Sequence, residues 1–132
     1  VLEGVVYSLH DCLEIMTGLG IDVTEVRAIG GGARSALWRQ IQADVFGVPV
    51  RRMVVDEGPA YGAALLAGVT GGQFRSVHEA CSVIRIRPEV AEPEPSRAQL
   101  YRNYRDAYRE LYPATAAVMG QLADLAVDSQ SN

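Results

Sequence analysis

A run of three glycines between a predicted strand and a predicted helix constrains this chain more than any other feature. The strand covers residues 23–29, where apolar and polar residues alternate and β-branched residues are frequent. After glycines 30–32, apolar residues recur at helical spacing as far as Phe46, which predicts a helix. A second strand, predicted over residues 50–55, completes a βαβ unit with parallel strands. The fold class is therefore predicted to be α/β.

Helices dominate the rest of the predicted chain. In order, we expect a helix over residues 1–17, a helix beginning at Pro59, a short helix capped by Ser76, an edge strand over 83–87, an extended connector over 88–95 and a long helix from Ser96 to residue 125. Proline lacks the N–H that a helix interior needs, so Pro113 should kink or break the last helix. Residues 1–125 are predicted to form one structural unit, and residues 126–132 a flexible tail.

Two firmly predicted strands are too few to make an independent sheet. Either further strands lie outside this chain, or helices bury the pair on both faces. The chain starts with Val1 and enters a helical pattern at once, so we expect it to be a piece of a longer protein. Because unpaired strand edges invite association, the sequence leaves open whether the chain forms a homodimer.

Composition excludes several classes of function. The formal net charge of -4 argues against nucleic-acid binding, which needs a basic surface. No apolar run approaches the roughly 18 residues of a membrane span, so no membrane partner is expected. All 12 basic residues are arginine, which rules out a phosphate-binding or Schiff-base lysine within the chain. Cys12 and Cys81 make neither a disulfide framework nor a zinc site, and they predict a reducing, cytoplasmic location.

The glycine run is the main candidate for a ligand site. Without Cβ atoms, the backbone of Gly30, Gly31 and Gly32 can come within van der Waals reach of a flat ring or a phosphate. The following helix directs its free N–H groups and the positive end of its dipole into the same turn. A nucleotide would suit this environment; the alternative is a tight turn with no ligand. The third glycine comes too early for the G-x-G-x-x-G dinucleotide pattern, which disfavours that interpretation.

A longer pattern surrounds the turn. It consists of Gly30-Gly31-Gly32-Ala33-Arg34-Ser35, Trp38-Arg39-Gln40, Ala43-Asp44-Val45, Gly47 and Pro49-Val50, followed by Glu57-Gly58, Ala60 and Gly62-Ala63-Ala64-Leu65-Leu66-Ala67. This pattern closely resembles the C-terminal signature of the FGGY carbohydrate kinases, and most of all their xylulokinase branch. The resemblance extends over residues 1–115 and is specific to the family over residues 29–67. It implies part of the C-terminal domain of an actin-like ATPase (ribonuclease H-like) fold, with helices packed on a small sheet.

The resemblance implies an ATP-dependent sugar kinase whose two domains face each other across a cleft for the sugar and MgATP. Residues 1–125 would belong to the second domain, on the nucleotide side. In the family the glycine turn lies against the adenosine and phosphates. The corresponding residues here are Gly30, Gly31, Gly32 and Ala33. Some relatives place an asparagine near Ala36 that reaches the adenine, whereas Ala36 itself offers only backbone; Ser35 could add a hydroxyl contact or cap the helix.

The family's aspartate base, its phosphate-binding hairpin and most sugar contacts lie upstream of the matching segment. The resemblance therefore assigns no catalytic residue and no metal ligand here, and Mg²⁺ would be held mainly by other parts of the protein. The chain alone should neither bind sugar well nor turn over. The implied reaction of the whole protein is phosphorylation of D-xylulose by ATP. The alternatives are an FGGY kinase for ribulose, gluconate, glycerol or a deoxy sugar, and a nucleotide-binding or interaction module without catalysis.

Residues outside the turn have simpler structural interpretations. Asp44 could orient groups near a nucleotide, but a solvated or helix-pairing carboxylate is expected; Trp38 is expected in the core rather than on adenine. His10 and His78 have no Cys or His neighbour at metal-ligand spacing, and each is expected to be a surface or satisfied histidine. The remaining predictions are a buried stripe of Tyr101, Tyr104 and Tyr108, an opposite solvated face of Arg102, Arg105 and Arg109, and helix-stabilising charges at Asp56 and Glu57.

Overall fold

The computed structural model describes residues 1–55 and 58–128, with side chains as far as Leu125. Its helices are α1 (Leu2–Gly18), α2 (Ala36–Phe46), α3 (Gly58–Thr70), α4 (Val77–Cys81) and α5 (Pro95–Asp128), and a 3-10 turn covers Gly31–Arg34. Its strands are β1 (Val26–Ala28), β2 (Val50–Met53) and β3 (Ile86–Ala91). The predictions for Asp56, Glu57 and tail residues 129–132 fall outside the described residues. In the described part of the chain, no helix is both long and apolar enough to cross a membrane.

The strands form a mixed sheet in the order β1-β2-β3, with β2 at its centre. β1 runs parallel to β2, with Val26 opposite Val50, as the βαβ prediction requires. β3 runs antiparallel to β2 and places Ala91 opposite Val50. The predicted α/β class is confirmed, and the predicted edge strand is the third strand of this sheet.

The strands differ from their predicted bounds. β1 is shorter than the predicted segment 23–29. β3 begins later than predicted and includes Pro88, so the connector prediction is wrong over residues 88–91. Pro88 is tolerated because β3 is an edge strand and because its register with β2 is irregular between Arg51 and Met53.

α5 continues without interruption through Pro113, so the predicted break is wrong. Proline removes one helical hydrogen bond, to the carbonyl four residues earlier. The following sequence is rich in alanine, which has the strongest helix propensity. This part of α5 is also exposed, so water can reach the freed carbonyl. At 34 residues, the helix is about 50 Å long.

α2 lies between two apolar clusters. On the sheet side the buried residues are small: Ala28, Ala33, Ala43, Val50 and Ala91. On the other side, α1 and α2 together contribute Val6, Tyr7, Ile41 and Val45. Small side chains allow α2 to approach the sheet closely. Because Ala33 belongs to the first cluster, the glycine turn is attached directly to the core.

α5 covers the second cluster through two tyrosines. The rings of Tyr101 and Tyr108 lie 6.3 and 5.4 Å from the ring of Tyr7. Tyr104 is 58% exposed, so the predicted buried stripe is wrong there. At 3.6 residues per turn, Tyr104 is rotated by about 60° from Tyr101, outside the narrow face that packs. The prediction of a solvated arginine face is wrong at Arg105. Its side chain is only 14% exposed, because it pairs with polar groups of α1.

Candidate functional site

The glycine turn follows β1 directly, and its first residue has a conformation that requires glycine. At Gly30, φ is 76° and ψ is -172°, a region that residues with a Cβ essentially do not occupy. The chain then closes into the 3-10 turn, in which the N–H of Ala33 donates to the carbonyl of Gly30 at 3.1 Å. The N–H of Ser35 donates to the carbonyl of Gly32, also at 3.1 Å. The predicted strand, turn and helix are thus confirmed, with a 3-10 turn before α2.

The base of the turn is fixed at Ala33. The side chain of Ala33 is buried, at 1% exposure, in the cluster between α2 and the sheet. Its carbonyl accepts a hydrogen bond from the guanidinium of Arg39, in the second turn of α2. The two contacts hold the side chain and the backbone of the same residue. The base of the turn therefore has little freedom to move.

The outer side of the turn is open at Gly31. Gly31 is exposed, and a Cβ placed on it would meet no atom within 4 Å. Gly32 is covered on one side by Trp38, whose Nε1 would lie 3.3 Å from an added Cβ. Trp38 also packs on the cluster between α1 and α2, as its core interpretation predicted. A flat or anionic ligand can thus approach the backbone at Gly31 without displacing a side chain.

Ser35 caps the start of α2. Its Oγ accepts the N–H of Trp38 at 3.2 Å, so capping, one of the two predicted roles, is present. This bond does not use the hydroxyl proton, which can still be donated to a ligand. Ala36 is exposed and is the first residue of the helix. Like the first residues of any helix, it has a backbone N–H without an intrahelical partner.

A second helix begins beside the turn. Gly58, the first residue of α3, lies so close to Ile29 that an added Cβ would come within 2.4 Å of the Ile29 Cδ1. Ile29 connects β1 to the turn, so the first residue of α3 lies against a side chain at the carboxyl end of β1. The sequence did not predict this contact. The small residues of α3 predict close packing against another element, but they do not specify which element that is.

The charged residues within the turn's own segment suit an anionic ligand. Residues 29–39 contain Arg34 and Arg39 and no acidic residue. Together with the N-terminus of α2, these residues favour a negatively charged group near the turn. The same residues offer no carboxylate for a metal ion and no base for proton abstraction. Chemically, the turn can bind and orient a ligand.

Asp44 lies in the second half of α2, and its side chain contributes to a different contact. It is 2% exposed, and its Oδ1 accepts the backbone N–H of Glu94 at 2.7 Å and the amide of Gln40 at 3.0 Å. Its Oδ2 accepts Nε of Arg97 at 2.8 Å. The helix-pairing interpretation is confirmed, and the solvated one is wrong. We call Gln40, Asp44, Glu94 and Arg97 the α2–α5 joint.

Three side chains of α1 could meet at a metal ion, but two arginines already occupy the space around them. The ligand atoms of His10, Asp11 and Glu14 lie within 4.8 Å of one another. Arg105 Nη1 lies 2.7 Å from His10 Nδ1, and Arg109 pairs with both carboxylates. Burial and the charge of Arg105 lower the pKa of His10, which favours the neutral ring that can accept a hydrogen bond. The two guanidinium charges oppose binding of a metal cation, and the cluster instead connects α1 to α5.

An apolar groove of about 420 Å³ lies behind the turn, between α1, β1 and α2. Ile29 and Trp38 belong to its lining. Most of the groove is apolar, so its chemistry does not suit a phosphate. It also does not enclose the open side of the turn at Gly31. A nucleotide bound at the turn would therefore need a second surface to shield it from water.

Comparisons with known proteins identify relatives of the chain. The family model described as the FGGY family of carbohydrate kinases, C-terminal domain, matches residues 1–71. The xylulose kinase of Staphylococcus epidermidis is 37% identical over 122 residues, which are 92% of this chain and 25% of that protein. The autoinducer-2 kinase of Escherichia coli is 38% identical over 92 residues, which are 70% of this chain and 17% of that protein.

A solved structure extends the similarity to the fold. The crystal structure of ligand-bound xylulose kinase from Lactobacillus acidophilus matches with a TM-score of 0.82 and 26% identity, over 92% of this chain and 25% of that one. The chain therefore spans about a quarter of the length of the xylulose kinases that it matches.

Proposed function

The chain belongs to the FGGY family of carbohydrate kinases, and on this premise we propose that it is the nucleotide-side part of an ATP-dependent D-xylulose kinase. The whole protein would transfer the γ-phosphate of ATP to a primary hydroxyl of D-xylulose, giving ADP and D-xylulose 5-phosphate. D-xylulose is the proposed sugar because a xylulose kinase matches 92% of the chain in sequence, whereas the match to an autoinducer-2 kinase covers 70%. The fold is the actin-like ATPase fold, of which the chain contains helices packed on a three-stranded sheet.

The observation that carries this proposal is the open backbone at Gly31, directly before the N-terminus of α2. An adenosine ring needs a flat surface without projecting side chains, and phosphates need N–H donors and positive potential. The turn combines these properties within a few residues. We therefore assign the adenosine and phosphate contacts to the backbone of Gly30, Gly31, Gly32 and Ala33, with Ser35 and Ala36 at the edge of the site.

A divalent metal ion accompanies ATP in kinases, and when bound it neutralises charge on the phosphates. The turn offers N–H donors, which suit the phosphates, and its residues 29–39 include no carboxylate that would suit Mg²⁺. We propose that the metal is held by the phosphates and by parts of the protein outside this chain. The same segment has no base to accept the proton of the sugar hydroxyl. The role of this chain is thus to bind and orient the nucleotide, which is a large part of phosphoryl-transfer catalysis.

Substitution of Gly31 by alanine in the full-length protein tests this role. The added methyl group meets no atom of the described chain, so folding should be unchanged, whereas a nucleotide on the turn would collide with it. We expect the Kd for MgADP, measured by isothermal titration calorimetry, to rise about tenfold, or about 1.4 kcal/mol. Gly120→Ala, in the exposed part of α5, introduces the same methyl group into open space and is the matched control. Equal Kd values for the two variants would refute the site.

The choice of sugar needs its own experiment, because the match to an autoinducer-2 kinase covers 70% of the chain. Full-length protein should be assayed with D-xylulose, ribulose, gluconate, glycerol and a deoxy sugar. We expect the highest kcat/KM for D-xylulose. A higher value for another substrate would assign the protein to another branch of the family. MgADP binding without phosphorylation of any substrate would favour the non-catalytic nucleotide-binding module.

We also propose a cytoplasmic location. Whether the protein forms a homodimer is a separate question for experiment. Cys12 and Cys81 are both free and exposed, as suits a reducing compartment. β1 and β3 are edge strands in the described sheet, and unpaired edges favour association. Light scattering on the full-length protein distinguishes a monomer from the homodimer that the sequence left open.

A further inference from the structure

We propose that Arg39 is a positioning residue for the nucleotide, because its side chain holds the glycine turn in the conformation that binds. The inference rests on the proposed function, since it requires the nucleotide to lie on this turn. Arg39 is half-buried in the second turn of α2 and faces back towards the turn that precedes the helix. Its guanidinium donates a hydrogen bond to the carbonyl of Ala33.

The turn needs such a contact because it consists largely of glycine. Three consecutive glycines have more accessible backbone conformations than any other tripeptide, and fixing them costs conformational entropy. Upstream, the segment is tied to the sheet through β1, which pairs with β2 as far as Ala28. Downstream, Ala33 is held by its buried methyl group and by its carbonyl. Gly31 and Gly32 lie between these two anchors.

The methyl group alone does not define the turn. A buried methyl fixes the position of the Ala33 Cα, and the two hydrogen bonds of the 3-10 turn engage the N–H of Ala33 and the carbonyl of Gly32, but none of these contacts uses the carbonyl of Ala33. The hydrogen bond from Arg39 fixes the orientation of the peptide plane that contains this carbonyl, and with it the direction of the chain entering α2. A guanidinium suits this role because it is planar, always charged and rigid. Its bond to a carbonyl is also stronger than one between neutral groups.

Removal of the Arg39 donor should therefore lower the fraction of molecules in which the turn is ready to bind. Apparent affinity falls in proportion to that fraction. Nucleotide at saturating concentration selects the competent conformation and restores it. The expected signature is a higher KM for ATP with an almost unchanged kcat. A residue that contributed only to stability would lower the unfolding temperature and leave the KM for ATP unchanged.

The experiment uses the full-length protein with four substitutions. Arg39→Met removes the donor and keeps an unbranched apolar stem, whereas Arg39→Lys keeps a charged donor. Arg75→Met is the matched control, because Arg75 is exposed beyond the C-terminal end of α3. Gly31→Ala tests the nucleotide site itself. For each protein, kcat, the KM values for ATP and D-xylulose, the Kd for MgADP and the unfolding temperature are measured.

We expect Arg39→Met to raise the KM for ATP and the Kd for MgADP about tenfold, to change kcat less than about twofold and to leave the KM for D-xylulose unchanged. Arg39→Lys should recover most of the affinity, and Arg75→Met should match the wild type. If Gly31→Ala weakens MgADP binding but Arg39→Met does not, the role of Arg39 is refuted and the proposed site stands. If neither variant affects MgADP binding, the proposed site and the role of Arg39 both fail. If Arg39→Met lowers only the unfolding temperature, Arg39 is merely structural, and a loss of kcat without a change in the KM for ATP would equally refute a positioning role.

Discussion

The two ends of α2 are built in opposite ways. At its N-terminal end, the glycine turn exposes backbone: Gly31 is open, and the anchors lie behind it at Ala33. Towards its C-terminal end, the α2–α5 joint buries a charge: Asp44 is 2% exposed and accepts three hydrogen bonds. A ligand can reach the first region, and none can reach the carboxylate of the second. One helix thus carries the proposed binding surface at one end and a structural contact at the other.

The contrast teaches that a charged residue in a family motif need not belong to the binding site. Asp44 falls within the sequence pattern that contains the glycine turn. Its hydrogen-bond donors nevertheless include Glu94, in the loop after β3, and Arg97, in α5. If the comparison is correct, substitutions at the joint should change the free energy of unfolding without changing nucleotide affinity. Substitutions at the turn should change nucleotide affinity without changing the free energy of unfolding. Gly30 is the exception, because its backbone conformation requires glycine.

The largest effect is expected at the joint. Asp44→Ala would leave the N–H of Glu94 and the guanidinium of Arg97 without their acceptor, and we expect it to destabilise the protein by about 3 kcal/mol. Urea unfolding followed by circular dichroism measures this change, with the exposed Asp106→Ala as the control. Under conditions where the variant is folded, the Kd for MgADP should stay within twofold of the wild type. A tenfold loss of affinity in folded protein would break the comparison.

The next effect is expected at the first residue of the turn. Gly30→Ala places a Cβ where φ is 76° and ψ is -172°, and such strain costs about 2 kcal/mol. Because relief of the strain would distort the turn, this variant should lose both stability and nucleotide affinity. Gly31→Ala, one residue away, should lose affinity alone. Identical stability losses for the two variants would contradict the conformation described for Gly30.

A smaller effect is expected at the helix cap. Ser35→Ala removes the oxygen that accepts the Trp38 N–H, which should cost about 1 kcal/mol of stability. Ser35→Asp or Ser35→Asn would restore a capping oxygen and should restore the unfolding temperature. If Ser35→Ala also weakens MgADP binding while Ser35→Asn does not rescue it, the hydroxyl contacts the nucleotide directly. That result would extend the binding surface into α2.

The smallest effect is a pH dependence at the contact between α1 and α5. The pKa of His10 is lowered by burial and by Arg105, against the opposing charges of Glu14 and Asp11. The unfolded chain therefore binds a proton at a higher pH than the folded protein. Stability should be full above the ordinary histidine pKa of about 6.5 and should fall as the pH drops below it. Thermal unfolding from pH 7.5 to 5 measures this loss, which His10→Gln should reduce and His78→Gln, at an exposed position, should not.

Short-range sterics account for the parts of the fold and site that the sequence could predict. The alternation before Gly30, the glycine run and Gly47 in its left-handed conformation define β1, the turn and α2 within 25 residues of chain. The cap at Ser76 is likewise local: its side chain accepts the N–H of Glu79. Predictions failed where the rest of a long element outweighed the preference of one residue. At Pro113, the exposed helix tolerates the loss of one backbone hydrogen bond.

The βαβ unit, the presence of a glycine turn before α2 and the family could be read from the sequence, because each depends on neighbouring residues. Only the tertiary structure decided that Asp44 is buried against Arg97, 53 residues away, and that Arg105 meets His10 across 95 residues. It also decided that the N-terminus of α3 lies beside the turn, through Gly58 and Ile29. The physical reason is that pairing and burial depend on which surfaces meet, and periodicity along the chain specifies a face without specifying its partner.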